Sequence, residues 1–338
     1  MELKFFHDIN NERLCAAWKE MEAQASPFLY YDYVKYVWLH TSRFSAYMPR
    51  IAYVESRPHG KILMIVPLRW NIYKRCYKML TDIQGCGKAD ALFDLQLSEE
   101  AKHTCVDFFY AHIGHKCYFR RLPSEALLRD DINGIKLDNK QQICVKIDFD
   151  CGVENLLHSL HKSVRQNVRT AYNRLNKDNI GVELKVYRGS QMTDSVWRQI
   201  MDIYLDRLFS KYKTKAKRNT IQKFIHYWKY RYIKHDTQSL RHLSNSFHAV
   251  LVGNGDIMAF LSGFMSMDDT TLVVPRLAIN DSYHFYSPGY LLIVETLRYL
   301  EHETHCRCLD LSRGDERYKT DLGGTNYYTE SLTFSTPY

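Results

Sequence analysis

The topology of the C-terminal half follows from the triplet Ser287-Pro288-Gly289 and, one apolar helix later, Asp310-Leu-Ser-Arg-Gly-Asp-Glu-Arg-Tyr-Lys319. A strand-like segment, 271–279, precedes the triplet, and 308–311 reads as the next strand. Because a whole helix lies between these two strands, they are predicted to be parallel neighbours in one sheet. The pattern therefore brings a helix N-terminus and a polar turn with Tyr318 and Lys319 to the same end of a sheet.

Length and composition are typical of a globular chain with two domains. The sequence has 338 residues, of which 45% are hydrophobic and 25% charged, enough for a sizeable core. The first twenty residues mix charged and apolar side chains, which argues against a signal peptide. No apolar run approaches the roughly 20 residues that a membrane-spanning helix needs. We therefore expect a cytoplasmic protein without a transmembrane segment.

The nine cysteines favour a reducing compartment. They are scattered, and no two have the CxxC spacing. Free, mostly buried thiols are the usual state of such cysteines in a cytosolic protein. Cys306 and Cys308 lack further ligands at a useful spacing, so no metal site is expected.

The positive charge of the chain is concentrated in one stretch. Between Arg207 and Lys234 there are ten Lys or Arg residues and no Asp or Glu, with aromatic residues interleaved, and 218–234 is predicted to be a helix. The formal net charge is +8, so the rest of the chain is close to neutral. Two interpretations stay open: a solvated helix face, or a surface for an anionic partner such as a phosphate-bearing ligand, a membrane or nucleic acid.

The character of the sequence changes near residue 150, which predicts domains at 1–148 and 149–338. Both halves share a rough order of helix, helix, hairpin, helix and strand, as a duplicated fold would. A predicted helix over 153–176 has a basic face on which Arg165 and Arg169 lie one turn apart. Two such guanidinium groups could hold a phosphate or a carboxylate of a substrate.

Five segments, spread over nearly the whole chain, resemble the CelD-like (cellulose-biosynthesis-type) branch of the GNAT acyltransferase superfamily, which is related to the FemABX transferases. They are Pro27-Phe28-Leu29, Ile65-Val66-Pro67-Leu68, Leu160-His-Lys-Ser-Val-Arg-Gln-Asn-Val-Arg169, Tyr286-Ser-Pro-Gly-Tyr290 and Arg313-Gly-Asp-Glu-Arg-Tyr-Lys319. The resemblance implies tandem GNAT-like α/β folds, each a mixed, mostly antiparallel sheet flanked by helices with a splayed parallel pair. It implies a degenerate first domain and a complete acyltransferase site in the second.

The donor implied by the resemblance is acetyl-CoA or another acyl-CoA. A helix that begins at Pro288 presents unpaired N–H groups and a positive dipole end to phosphates, with Ser287 as N-cap and Gly289 leaving room for a ligand. The thioester carbonyl would meet a backbone N–H near the end of strand 271–279. The predicted donor-binding residues are Leu277, Ala278, Ile279, Ser287, Pro288, Gly289 and Tyr290. The usual phosphate loop, R/Q-x-x-G-x-G/A, is incomplete.

The polar turn supplies the predicted acid–base groups. Tyr318 is the candidate proton donor to the leaving thiolate, and Lys319 could stabilise an oxyanion or bind an anionic substrate. Asp315 could orient Lys319 or Arg313, or act as a base. Arg165, Arg169 and Arg313 are the predicted substrate-binding residues.

These features predict an acyl-CoA-dependent N- or O-acyltransferase, an acetyltransferase by expectation, that acts on a small or sugar-linked acceptor. By resemblance, the acceptor belongs to cell-envelope or polysaccharide synthesis. One alternative is a FemABX-like transferase that takes an amino acid from tRNA onto a peptidoglycan precursor, with the basic stretch 207–234 facing RNA. Another is a catalytically inactive GNAT-like binding module.

Overall fold

The computed structural model describes residues 1–40, 47–58, 60–81, 90–129, 135–213, 241 and 243–335. The predicted helix 218–234 lies outside the described residues, as does most of the basic stretch. Two compact units make up the chain: Met1–Cys144 with Tyr327–Tyr338, called here the first unit, and Val145–Asn326, the second unit. No helix in the described part of the chain combines the length and apolarity that crossing a bilayer requires.

The first unit is a mostly antiparallel sheet flanked by helices. Its elements are β1 (Glu2–Phe6), α1 (Glu12–Met21), α2 (Tyr31–His40), β2 (Tyr47–Glu55), β3 (Ile62–Asn71), β4 (Cys76–Met79), β5 (Leu92–Phe93), α3 (Glu99–His112) and β6 (Lys116–Pro123). β1 to β4 are antiparallel neighbours in order, whereas β4 and β6 pair in parallel. α3 has its apolar side chains, among them Val106 and Phe109, in the core of this unit.

The second unit is built around a larger core. After β7 (Ile135–Asp148), which crosses the boundary between the units, its elements are α4 (Val153–Ser159), α5 (Lys162–Lys177), β8 (Val182–Arg188), α6 (Asp194–Lys213), β9 (Ser246–Gly253), β10 (Asp256–Met265), β11 (Thr271–Ile279), α7 (Pro288–Glu303), β12 (Cys308–Arg313) and α8 (Arg317–Asp321). The strand order is β7-β12-β11-β10-β9-β8. β8 to β11 are antiparallel neighbours, and β11 and β12 are parallel.

The last strand of the chain, β13 (Thr325–Phe334), completes the first unit. Its residues Thr329 to Phe334 pair antiparallel with β6, and Leu332 and Phe334 are buried in the first unit's core. Both units therefore contain mixed, mostly antiparallel sheets flanked by helices, which confirms the predicted fold class.

The parallel pair β11–β12 separates soon after it begins. The register joins Thr271 with Cys308, Leu272 with Leu309 and Val273 with Asp310, and there it ends, so that residues 274–279 extend beyond the last paired position. On the other edge of β11, the register of its pairing with β10 shifts between Ser262 and Phe264. Pro275 of β11 lies at this irregularity and has no N–H to donate to a ladder. A bulge and a proline thus coincide with the point at which the two parallel strands diverge.

We expect Gly263→Ala to destabilise the second unit by about 3 kcal/mol, because backbone blocks the space for a side chain. A Cβ at Gly263 would lie 2.1 Å from the carbonyl oxygen of Val273, on the neighbouring strand. Urea unfolding measures the loss. Gly181→Ala is the matched control, since a Cβ there meets only Asn254 Oδ1, at 4.0 Å. Equal stability of the two variants would contradict the close approach of β10 and β11.

Candidate active site

A cavity of about 140 Å³ lies where β11 and β12 have separated. Apolar atoms of Val274, Pro275 and Leu277 line one side of it. The ionisable side chains that line it are Arg207, Arg276, Arg313, Glu316, Tyr318 and Lys319. Among the described residues, four cations and a single carboxylate therefore line this space.

The turn that follows β12 is shaped by two residues with positive φ. Ser312 has φ 53°. Its N–H donates to Oδ1 of the buried Asp310 at 2.8 Å, which stabilises this conformation. Gly314 has φ 118°, and a Cβ there would lie 2.2 Å from Oε2 of Glu316. The positive φ favours glycine at 314, and a Cβ there would force the Glu316 side chain to move. The turn directs Glu316 and the short helix α8 back toward the cavity.

Lys319 lies at the centre of this turn, only 4% exposed. Its Nζ donates to the carbonyl oxygens of Leu311 at 3.1 Å, Arg313 at 3.0 Å and Gly314 at 3.2 Å. Glu316 Oε2 lies 3.0 Å from the same ammonium. An ammonium has three hydrogens to donate, and three carbonyl groups already receive them. Through these contacts Lys319 stabilises the turn and holds Glu316 at the cavity.

Tyr318 and Arg207 line the cavity together. The guanidinium of Arg207 donates to the carbonyl oxygen of Leu277. Burial, with a smaller contribution from the Glu316 charge, raises the pKa of Tyr318 to about 12, although Arg207 acts in the opposite direction. The phenol is therefore protonated at neutral pH, and it has a hydrogen to donate.

The start of α7 lies beside the end of β11. Ser287, with φ 50°, occupies the N-cap position without a capping bond from its side chain, and Pro288 is at the first helical position. A Cβ at Gly289 would be 3.4 Å from Cγ2 of Ile279. The Tyr290 hydroxyl donates to Asp321 Oδ2 at 3.1 Å, and its ring lies 6.5 Å from that of Tyr318, edge to face. The helix N-terminus and the polar turn are thus neighbours.

The three predicted residues at the end of β11 differ in the edge to which they point. Leu277 lines the cavity, and its carbonyl accepts from Arg207. Since the N–H and C=O of one strand residue point to the same edge, the Leu277 N–H also faces the cavity side. The register places Ala278 opposite Phe260 of β10, and its side chain is buried. Leu277 is therefore the strongest of the three candidates to contact a ligand in the cavity.

The structure brings together some predicted site residues and separates others. Leu277, Arg313, Tyr318 and Lys319 all line the cavity. Asp315, Arg165 and Arg169 are exposed and are not among its lining residues, so their roles stay predictions.

Sequence reasoning missed four lining residues that have polar side chains, Tyr204, Arg207, Arg276 and Glu316, besides the apolar Val274, Pro275 and Leu311. Arg207 begins the basic stretch, and Glu316 lies in the polar turn between Arg313 and Lys319. Arg276 had a signal of its own, because it is a charged residue inside the apolar strand Leu272-Val-Val-Pro-Arg-Leu-Ala-Ile279. A charge at such a position is costly unless a partner or ligand compensates it.

No group of three or more His, Cys, Asp or Glu among the described residues could hold a metal ion. The cysteines in the described ranges are all free thiols.

Residues 162–320 match the family model described as an acetyltransferase (GNAT) domain. The matched range holds β11, α7, β12 and the cavity between them. This part of the chain is thus similar to GNAT-type acetyltransferase domains. No curated protein matches the sequence.

Three solved structures share the fold over nearly the whole chain. FemX has a TM-score of 0.59 at 10% identity, over 98% of this chain and 97% of FemX. L-PGS from Bacillus licheniformis has a TM-score of 0.54 at 13% identity, over 98% of this chain and 93% of L-PGS. A tandem GNAT protein from the clavulanic acid biosynthesis pathway has a TM-score of 0.51 at 12% identity, over 98% of both chains. At these identities the likeness concerns the fold, and it supports the tandem GNAT-like architecture.

Proposed function

We propose that the protein is an acyl-CoA-dependent N- or O-acyltransferase of the CelD-like type, with acetyl-CoA as the expected donor. Its acceptor would be a small or sugar-linked amine or hydroxyl of cell-envelope polysaccharide synthesis. The observation that carries the proposal is the separation of β11 from β12 after Val273 and Asp310, with a polar cavity in the gap. That gap is the space in which a donor thioester and an acceptor would meet.

The N-terminus of α7 suits the phosphates of an acyl-CoA. Its first-turn N–H groups have no partners within the helix, and the helix dipole favours an anion there. At Gly289 a Cβ would be in contact with Cγ2 of Ile279, at 3.4 Å, so glycine brings the first turn of the helix close to the end of β11. An acyl-CoA supplies an activated acyl group on a thiol, so the chain needs only to bind, orient and stabilise charge. The fit between this helix start and a pyrophosphate supports coenzyme A as the carrier.

Two groups at the cavity are placed to act on the thioester. The Leu277 N–H would polarise the carbonyl, and the Tyr318 hydroxyl would donate to the leaving sulfur. With a pKa of about 12, Tyr318 is a weaker acid than a thiol. Complete proton transfer to a thiolate of pKa about 8.5 is then uphill by about 5 kcal/mol. We therefore assign Tyr318 as a hydrogen-bond donor to developing charge and not as a source of free protons.

The other residues of the turn position these groups. Lys319 holds the turn and Glu316 by its four contacts. Glu316 is the one carboxylate among the described residues that line the cavity, so it is the candidate to receive the proton of the acceptor. Arg313, exposed and lining the cavity, is placed to meet the acceptor.

Release of free thiol from acetyl-CoA, measured with and without a panel of amino sugars, tests the proposal directly. Acceptor-dependent release is expected, together with a rise of the melting temperature on addition of coenzyme A. If coenzyme A changes neither quantity, the donor is not an acyl-CoA.

We expect Gly289→Leu to weaken coenzyme A binding at least tenfold, about 1.4 kcal/mol, by covering the N–H groups of the first turn. Isothermal titration measures the affinity. Gly289→Ala is the matched control: its Cβ would only touch Ile279, and alanine favours a helix, so its folding stability is not reduced. An unchanged affinity of the leucine variant would mean that the phosphates bind elsewhere.

A second candidate function is supported by the basic stretch, with its ten Lys or Arg residues and no acid between Arg207 and Lys234. That charge suits RNA, as an aminoacyl-tRNA-dependent transfer onto a peptidoglycan precursor would require. Binding to tRNA should then weaken by orders of magnitude between about 50 and 200 mM salt. Salt-insensitive binding, or none, would remove this candidate.

A further inference from the structure

Arg276 has a property that the proposed acyl transfer does not explain. Arg276 lines the cavity from β11, yet the residue is only 7% exposed. Within the described part of the chain, its Nη1 is buried and has no hydrogen-bond partner. The guanidinium carbon lies 5.9 Å from the centroid of the Tyr204 ring, which compensates part of the charge. A guanidinium stays charged at every physiological pH, so this charge is buried with little compensation.

Among the described residues, none supplies an anion for Arg276. Glu316 is the carboxylate that lines the cavity, and it is already 3.0 Å from the ammonium of Lys319. Arg207 and Arg313 add positive charge on the same cavity. Residues 208–240, whose side chains are outside the description, include one acid, Asp236, in their sequence. The cavity therefore has an excess of cations over carboxylates.

We propose that this cavity binds an oxyanion, a carboxylate or a phosphate, that the acceptor carries close to its reactive amine or hydroxyl, and that Arg276 is its main ligand. The inference rests on the proposed function, since it names the acceptor class of the same site. Arg276 offers a planar fork of donors that matches either group. The donor's own phosphates have a separate position at the start of α7.

Anion binding can be tested without turnover, by melting temperatures of the full-length protein at constant ionic strength. Inorganic phosphate and acetate are the probes. We expect phosphate or acetate to raise the melting temperature of the wild type and not that of Arg276→Met. Without either anion, Arg276→Met should melt at the same temperature as the wild type or higher, because an uncompensated buried charge is gone. Arg198→Met, whose exposed side chain lies on the same helix as Arg207, should respond like the wild type.

Matched acceptor pairs distinguish the two sources of the oxyanion. One pair is an α-amino acid and its amide, and the other is glucosamine 6-phosphate and glucosamine. In the wild type, kcat/KM is expected to be at least tenfold higher for the charged member of one pair than for its neutral partner. The pair that shows this difference tells whether the bound group is a carboxylate or a phosphate. Arg276→Met should reduce that ratio toward one, and Arg276→Lys, which keeps the charge but not the fork, should give an intermediate ratio.

The outcomes separate this inference from the proposed function. Acceptor-dependent thiol release with equal kcat/KM for charged and neutral members would overturn the anionic acceptor and leave the acyltransferase standing. Anion stabilisation that depends on Arg276, without thiol release from acetyl-CoA, would support the anion site and remove the acyl-CoA donor. Stabilisation that is equal in wild type and Arg276→Met, or absent from both, overturns the inference.

Discussion

Tyr318→Phe is expected to lower kcat about 100-fold, about 2.7 kcal/mol, while the affinity for coenzyme A stays unchanged. The substitution removes only the hydroxyl, which is the group that would stabilise charge on the leaving sulfur. The ring keeps its edge-to-face contact with Tyr290, and Arg207 keeps its bond to the Leu277 carbonyl. Steady-state thiol release gives kcat, and titration calorimetry gives the donor affinity.

The pH dependence sharpens this prediction. Burial and Glu316 raise the pKa of Tyr318 to about 12, so the protonated form that donates a hydrogen bond persists throughout the neutral range. The rate ratio of wild type to Tyr318→Phe should thus be constant from about pH 6 to about pH 9. Tyr328→Phe, at a position 42% exposed, is the control and should leave turnover unchanged. Wild-type turnover in Tyr318→Phe would remove Tyr318 from the chemistry.

The parallel pair at the site was predictable from sequence because its signals are local. One complete helix between two apolar segments requires a crossover, and Pro288 and Gly289 mark the start of that helix. The place where β11 leaves β12 depends on the bulge opposite Gly263, a contact between strands that no single segment encodes. The pairing of β13 with β6 is equally non-local, since about 200 residues separate the two strands in sequence.

The chemistry of individual side chains was harder to predict than the topology. The importance of Arg276 is visible only from its burial, which sequence alone does not show. That burial depends on α6 and β12, whose residues line the same cavity. Lys319 was predicted as a substrate or oxyanion ligand because it follows Tyr318 in a polar turn. Whether a lysine in a turn points outward or inward depends on the positive φ of Ser312 and Gly314, which turn the carbonyl groups toward it.

Lys319→Met is expected to reduce the free energy of unfolding by about 3 kcal/mol, because it leaves three carbonyl groups and a carboxylate without their cation. The ammonium is buried, whereas the Glu316 side chain is 35% exposed, so water can relieve part of the cost. Urea unfolding followed by circular dichroism measures the change. Lys185→Met, at a position whose side chain is 45% exposed on β8, should change stability by less than about 0.5 kcal/mol.

The double variant Lys319→Met/Glu316→Gln distinguishes a structural role of Lys319 from a catalytic one. If the cost of Lys319→Met comes partly from an unpaired carboxylate, adding Glu316→Gln should recover about 1 kcal/mol, since the two residues are in contact and their effects are not additive. A Lys319→Met protein with wild-type stability and no turnover would instead make Lys319 a ligand of the transition state. That result would mean that the three carbonyl contacts release the ammonium when substrate binds.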